Sequence, residues 1–106
     1  MEKFNEYQQK AMKTRLDECK NIECMVCGLC SEAGEVAGAH KKFIRGDYDK
    51  ANAISELVKE MGDVLWYLAG LAEEIGYSLQ EIAQINIDKL SSRKERGVIK
   101  GKGDQR

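Results

Sequence analysis

Proline is absent from the 106-residue chain, histidine and tryptophan occur once each, and 18 acidic residues nearly cancel 17 basic ones. Without proline, nothing forces a helix to break or kink. A net charge of −1 excludes the strongly basic footprint of a protein that holds a nucleic-acid polymer. No apolar run reaches the roughly 20 residues needed to cross a bilayer. The start, Met1-Glu2-Lys3-Phe4-Asn5, lacks the apolar stretch of a secretory leader. These absences lead us to expect a soluble, cytoplasmic protein with neither a membrane nor a stable nucleic-acid polymer as partner. The composition, 42% apolar and 33% charged, is too apolar for disorder and suits one small domain.

Four cysteines stand close together, at Cys19, Cys24, Cys27 and Cys30. An even set would suggest disulfides in a small secreted chain, and the C-x2-C spacing recurs in soft-metal sites. The surrounding residues read as helix and lack the turns of a zinc knuckle. Cys24, Cys27 and Cys30 therefore read as small packing residues on one helical face, with a metal or redox role as the alternative.

Hydrophobic periodicity predicts an all-α, four-helix bundle-like protomer over residues 1–97. Phe4, Tyr7, Ala11, Met12 and Leu16 stripe a first helix. A second runs from about Glu23 to Ile44, with Gly46 as its stop. Ile54, Leu57, Val58, Met61, Val64, Leu65, Leu68, Leu71, Ala72 and Ile75 mark the third, ended by Gly76. Ser78 and Glu81 make a capping box for a fourth, running to about Glu95. Residues 98–106 are glycine-rich and basic, and a flexible tail is expected there.

One internal similarity carries chemistry. Leu29-Cys30-Ser31-Glu32-Ala33-Gly34-Glu35-Val36 aligns with Leu57-Val58-Lys59-Glu60-Met61-Gly62-Asp63-Val64. Glu32 and Glu35, like Glu60 and Asp63, project from one side of their helix. If the two helices pair antiparallel, four carboxylates meet, and they repel unless a cation lies between them. All-oxygen ligation selects Mg²⁺ or Mn²⁺ over zinc. The only histidine, His40, lies outside both motifs, which weakens a ferritin-like di-iron reading. Gly34 and Gly62, each costing about 1 kcal/mol relative to alanine inside a helix, suggest close backbone packing or ligand access.

The third helix is apolar or functional almost all round, with Trp66 and Tyr67 near Asp63. A small four-helix protomer cannot bury both faces, so a homo-oligomer is expected, a dimer or tetramer. Trp66 and Tyr67 could stack on a base or pack in an interface. On the fourth helix, Asn86 and Arg93 fall on the apolar stripe of Leu79, Ile82, Ala83 and Leu90, with Lys89 at its edge. Polar groups there need partners, either a phosphate chain or a neighbouring carboxylate. Lys42 could extend a phosphate-binding rim or be solvated.

The pattern E-x-x-E, 24 residues, E-x-x-D, then N-x-x-K-x-x-x-R resembles the MazG-type nucleoside triphosphate pyrophosphohydrolases. The similarity runs from Phe4-Asn5-Glu6-Tyr7-Gln8 to the tail. It implies an all-α bundle that cleaves a (d)NTP between the α and β phosphates with Mg²⁺, giving the monophosphate and pyrophosphate. It places metal at Glu32, Glu35, Glu60 and Asp63, and substrate at Asn86, Lys89 and Arg93, with Lys42 a weaker match. Glu35 is the candidate general base. A phosphoribosyl-ATP pyrophosphohydrolase and a non-catalytic helical binding module are the alternatives.

Overall fold

A computed structural model describes residues 2–106. Among them are four α-helices and no strand: α1 (Glu2–Met12), α2 (Ile22–Ile44), α3 (Lys50–Ile75) and α4 (Leu79–Glu95), with a 3-10 turn at Asp17–Cys19. The boundaries have local causes. Asn21 and Asp49 accept the backbone N–H of Cys24 and Asn52 at 2.7 and 2.8 Å, pairing donors that a helix start leaves open. Ser78 and Glu81 form the reciprocal box that opens α4. Gly76, at φ +81°, takes the left-handed turn that ends α3, and the Tyr77 N–H reaches back to the Ala72 carbonyl at 2.9 Å.

The first helix is shorter than its apolar pattern. It stops at Met12, where the Thr14 hydroxyl donates to the Ala11 carbonyl at 2.7 Å. Leu16 consequently lies in extended chain, 66% exposed, rather than on the α1 stripe.

Helices α2 and α3, joined by residues 45–49, pack together as an antiparallel hairpin. The inward face of α2 runs Met25, Gly28, Leu29, Glu32, Val36 and Ala39; that of α3 includes Ala53, Leu57, Glu60, Val64, Tyr67 and Leu71. Both follow the alternating three- and four-residue spacing of one helix face. Close approach depends on two glycines. A Cβ on Gly28 would lie 2.0 Å from Tyr67 Cε1, and one on Gly70 would lie 2.1 Å from Met25 Sδ.

This register corrects the reading of the cysteines as packing residues. Cys27 and Cys30 fall off the inward face and are exposed, while Cys24 is disulfide-bonded to Cys19. The wholly buried Met25 takes the interior position instead. Gly34 and Gly62 also differ from Gly28 and Gly70, because nothing lies within 4 Å of a Cβ added at either. Backbone contact within this chain does not explain them.

Helix α1 crosses the end of α3 and the start of α4. The buried Gln8 amide joins all three: its oxygen accepts the Leu79 N–H at 2.9 Å, and its nitrogen donates to the carbonyls of Ala69 and Tyr77 at 3.2 and 3.3 Å. Arg15 pairs with Glu74 at 2.8 Å, tying the following segment to α3. The buried apolar residues are Ala11, Met25, Ala39, Ala53, Ala69, Ala72 and Leu79, so small side chains dominate the interior. The larger ones face outward. On α3, Ile54, Val58, Met61 and Leu68 are 40–63% exposed. On α4 only Leu79 of the apolar stripe is buried; Ile82 and Leu90 are exposed.

Candidate active site

Glu32 and Glu60 occupy the inward faces of α2 and α3, in register with the packing residues on either side. The acids of the two repeats therefore meet because the helices that carry them pack. One carboxylate oxygen each from Glu32, Glu60 and Asp63 lies within 4.8 Å of the others. Glu35, one turn beyond Glu32, is exposed, yet it is close enough to Glu60 to act on its titration.

Crowding leaves a clear electrostatic trace. Partial burial pushes the Glu60 carboxyl above the ordinary glutamate range; a hydrogen bond with Glu32 and the charges of Glu32, Asp63 and Glu35 push it further. The cluster thus holds more negative charge than it can carry without a compensating positive charge. A hard divalent cation would supply it, and an all-carboxylate set at this spacing fits such an ion. The cysteine and histidine donors typical of zinc are not part of the set.

Tyr7, counted in the sequence only as a packing residue, stands near this cluster. Burial first, then the charge of Asp63, raises its phenol above the usual range. Nothing in the spacing of α1 relates Tyr7 to an acid 56 positions away.

The other candidates lie elsewhere. The Trp66 indole donates to Thr14 Oγ1 at 2.8 Å and to the Ala11 carbonyl at 3.2 Å. Tyr67 packs its ring on Gly28 and meets Trp66 edge-on, with centroids 4.9 Å apart. Both aromatics thus join helices. Lys42 lies over the Tyr48 ring, 5.6 Å from its centroid, about 10 Å along α2 from Glu35 at 1.5 Å per residue. His40 is exposed and stacks on Phe43.

Helix α4 packs on α1 and α3, and among the described residues none of its cations pairs with the carboxylate cluster. Asn86 is exposed. Lys89 Nζ and Arg93 Nη2 instead meet one oxygen of Asp104, at 3.1 and 3.0 Å. Arg93, then Lys89, hold the Asp104 carboxyl below the usual aspartate range. One groove, about 670 Å³, lies at the junction of α1 with the α3–α4 turn, lined by Asn5, Gln9, Lys13, Glu73 and Tyr77 among others. A second groove, about 350 Å³ and almost wholly apolar, runs between α2 and α3. Its residues Ala33, Val36, Met61 and Val64 each directly follow one of the four acids in sequence. Among the described residues, no helix is long and apolar enough to cross a membrane.

Comparison with known proteins bears on the family of the chain. Residues 20–98 match the MazG nucleotide pyrophosphohydrolase domain, a span that includes both acidic repeats and α4. The chain is 42% identical over 95 residues to the Gene 37 protein of Mycobacterium phage L5, covering 85% of this chain and 81% of that protein. It is 35% identical over 74 residues to the uncharacterized protein YvdC of Bacillus subtilis (strain 168), covering 63% and 70%. No solved structure matches it. A domain match across most of the chain, with the paired acids inside it, places the protein in the MazG nucleotide pyrophosphohydrolase family.

Proposed function

We propose that the protein hydrolyses a nucleoside or deoxynucleoside triphosphate between the α and β phosphates, releasing the monophosphate and pyrophosphate. The observation that carries this reading is the convergence of Glu32, Glu60 and Asp63 from two packed helices, within 4.8 Å of one another. The family is typically metal-dependent. These three residues, with Glu35 beside them, would hold Mg²⁺ or Mn²⁺. Bound there, such cations supply positive charge against phosphate oxygens and acidify a water molecule.

The remaining roles fall to this chain's own groups. Glu35, exposed outside the converged triad, is the candidate to take the proton of the attacking water. As the water oxygen bonds to the α-phosphorus, the bridging P–O bond breaks and pyrophosphate leaves. Lys89 and Arg93 offset triphosphate charge, Asn86 offers an amide to the same ligand, and Lys42 extends the cationic rim. Trp66 and Tyr67, three and four residues past Asp63 on α3, hold α1 and α2 in place beside the acids rather than stacking on a base.

A second copy of the chain covers the outward apolar face of α2 and α3, as a homodimer or within a homotetramer. The support is the alanine-rich interior beside exposed Ile54, Val58, Met61 and Leu68, an apolar face of the kind that marks an interaction site.

The test is pyrophosphate release by purified protein from a panel of ribo- and deoxyribonucleoside triphosphates and phosphoribosyl-ATP, with Mg²⁺. Turnover of a triphosphate that Glu60→Gln lowers at least a hundredfold, with helicity retained, supports the proposal. A folded protein that binds nucleotide without cleaving any of the panel would refute it and favour a binding module.

A further inference from the structure

Residues 98–106 fold back onto the last turns of α4. Asp104 brings one carboxylate oxygen between Lys89 Nζ and Arg93 Nη2, at 3.1 and 3.0 Å. Other bonds hold the tail there: Arg96 Nη2 donates to the Arg106 carbonyl at 2.8 Å, and Arg106 Nε donates to the Val98 carbonyl at 3.0 Å. The two partners of Asp104 differ greatly in exposure. The Arg93 side chain is 4% exposed and Asp104 is 74% exposed, so a buried cation faces a solvent-side anion.

Asp104 also uses only part of the donor set. Arg93 Nε is buried and has no hydrogen-bond partner, and the Lys89 ammonium keeps further donors free. A guanidinium fork is matched best by an anion offering two oxygens side by side. A phosphate group does that. A single carboxylate oxygen on Nη2 does not.

We propose that Asp104 is an internal competitor for the phosphate chain: the tail straps the Lys89–Arg93 pair, and a polyphosphate ligand must displace it to bind. This rests on the reading of Lys89 and Arg93 as phosphate-binding residues and adds regulation of that site by the tail. In the strapped state the two cations are neutralised in part and Arg93 is covered. Apparent affinity is then reduced by the fraction of molecules whose tail is released.

The probe is inorganic tripolyphosphate, titrated calorimetrically into the full-length protein with Mg²⁺ at low ionic strength. Asp104→Asn keeps the size of the exposed side chain and removes its charge. It should tighten binding about three- to tenfold, the modest range of a solvent-exposed ion contact. Lys89→Gln should weaken it. In ¹⁵N-edited spectra of the wild type, the amides of Gly101 and Gly103 should shift to free-chain positions and sharpen as the probe binds. Unchanged or weaker binding by Asp104→Asn, with Lys89→Gln impaired, would overturn the strap and leave the phosphate site standing. Tail amides that stay fixed at saturation would overturn it too. Absence of binding by all three proteins would overturn both the site and its regulation.

Discussion

Replacing Gln8 with leucine removes the one side chain among the described residues that bonds to α3, to the α3–α4 turn and to the first residue of α4. The leucine fills similar space but cannot accept the Leu79 N–H, now paired at 2.9 Å on a residue 6% exposed. An orphaned buried donor costs about 1–3 kcal/mol. The Tyr77 carbonyl loses a donor at 3.3 Å, while the Ala69 carbonyl keeps its place in the α3 ladder. The sum is roughly 2–4 kcal/mol, or a melting temperature lower by roughly 10–20 °C for a domain of this size. Urea unfolding followed by helical circular dichroism, at fixed protomer concentration, measures it. Gln8→Glu provides an internal control. Its carboxylate still accepts from Leu79, but the second oxygen faces two carbonyls and stands near Glu73 Oε2, 3.5 Å from the present amide nitrogen. That variant should be unstable near neutrality and recover as protonation restores a donor. A Gln8→Leu loss below about 0.5 kcal/mol, the scale of an ordinary surface change, would show that the clamp does not hold the three elements together.

Three further outcomes follow from the same structure. Glu60 is pushed above the ordinary range in the folded chain, so the folded state binds its proton more tightly than the unfolded state. Glu60's contribution to metal-free stability should therefore be fully present below the ordinary glutamate range and be lost as pH rises through its folded pKa, and Glu60→Gln should remove that part of the pH dependence. Saturating Mg²⁺ should flatten that slope in thermal melts, and an unchanged slope would argue against a cation at the cluster. Gly28→Ala would place a Cβ 2.0 Å from the Tyr67 ring and should cost about 1–3 kcal/mol. Gly62→Ala, with open space around it, should leave stability unchanged or raise it by up to about 1 kcal/mol; equal losses in denaturant melts would refute the distinction. Finally, Met61→Lys should reduce the mass seen by light scattering to that of one chain, and an unchanged mass would exclude this face as the contact between copies.

Local rules made most of the fold legible. The caps at Asn21, Asp49 and Ser78 and the stop at Gly76 lie where side-chain chemistry and glycine permit, and the acidic repeat told which helices would meet. What the sequence obscured was rotation and partner. Cys24, Cys27 and Cys30 share a spacing of three, but the inward face of α2 is defined by Met25, Gly28, Leu29, Glu32 and Val36, which leaves two thiols outside. Gln8 was visible in principle, because a polar side chain interrupts the stripe between Phe4 and Ala11, the same signal that singled out Asn86 and Arg93. The Asp104 contact had no signal, since a glycine-rich end with mixed charges has no periodicity from which a docking site could be read. Tyr7 near Asp63 depends on a helix crossing that neither segment encodes alone.

An interior built chiefly of alanine has a thermodynamic consequence. Each alanine removes little apolar area from water, so the hairpin of α2 and α3 gains only a small part of its stability from its own interior. If copies of the chain supply the rest, heating and dilution become equivalent stresses: the unfolding midpoint should climb with the logarithm of protein concentration. Nucleotide supply would then act on the lifetime of the folded chain as well as on its turnover, because any ligand held across the paired acids favours the folded form.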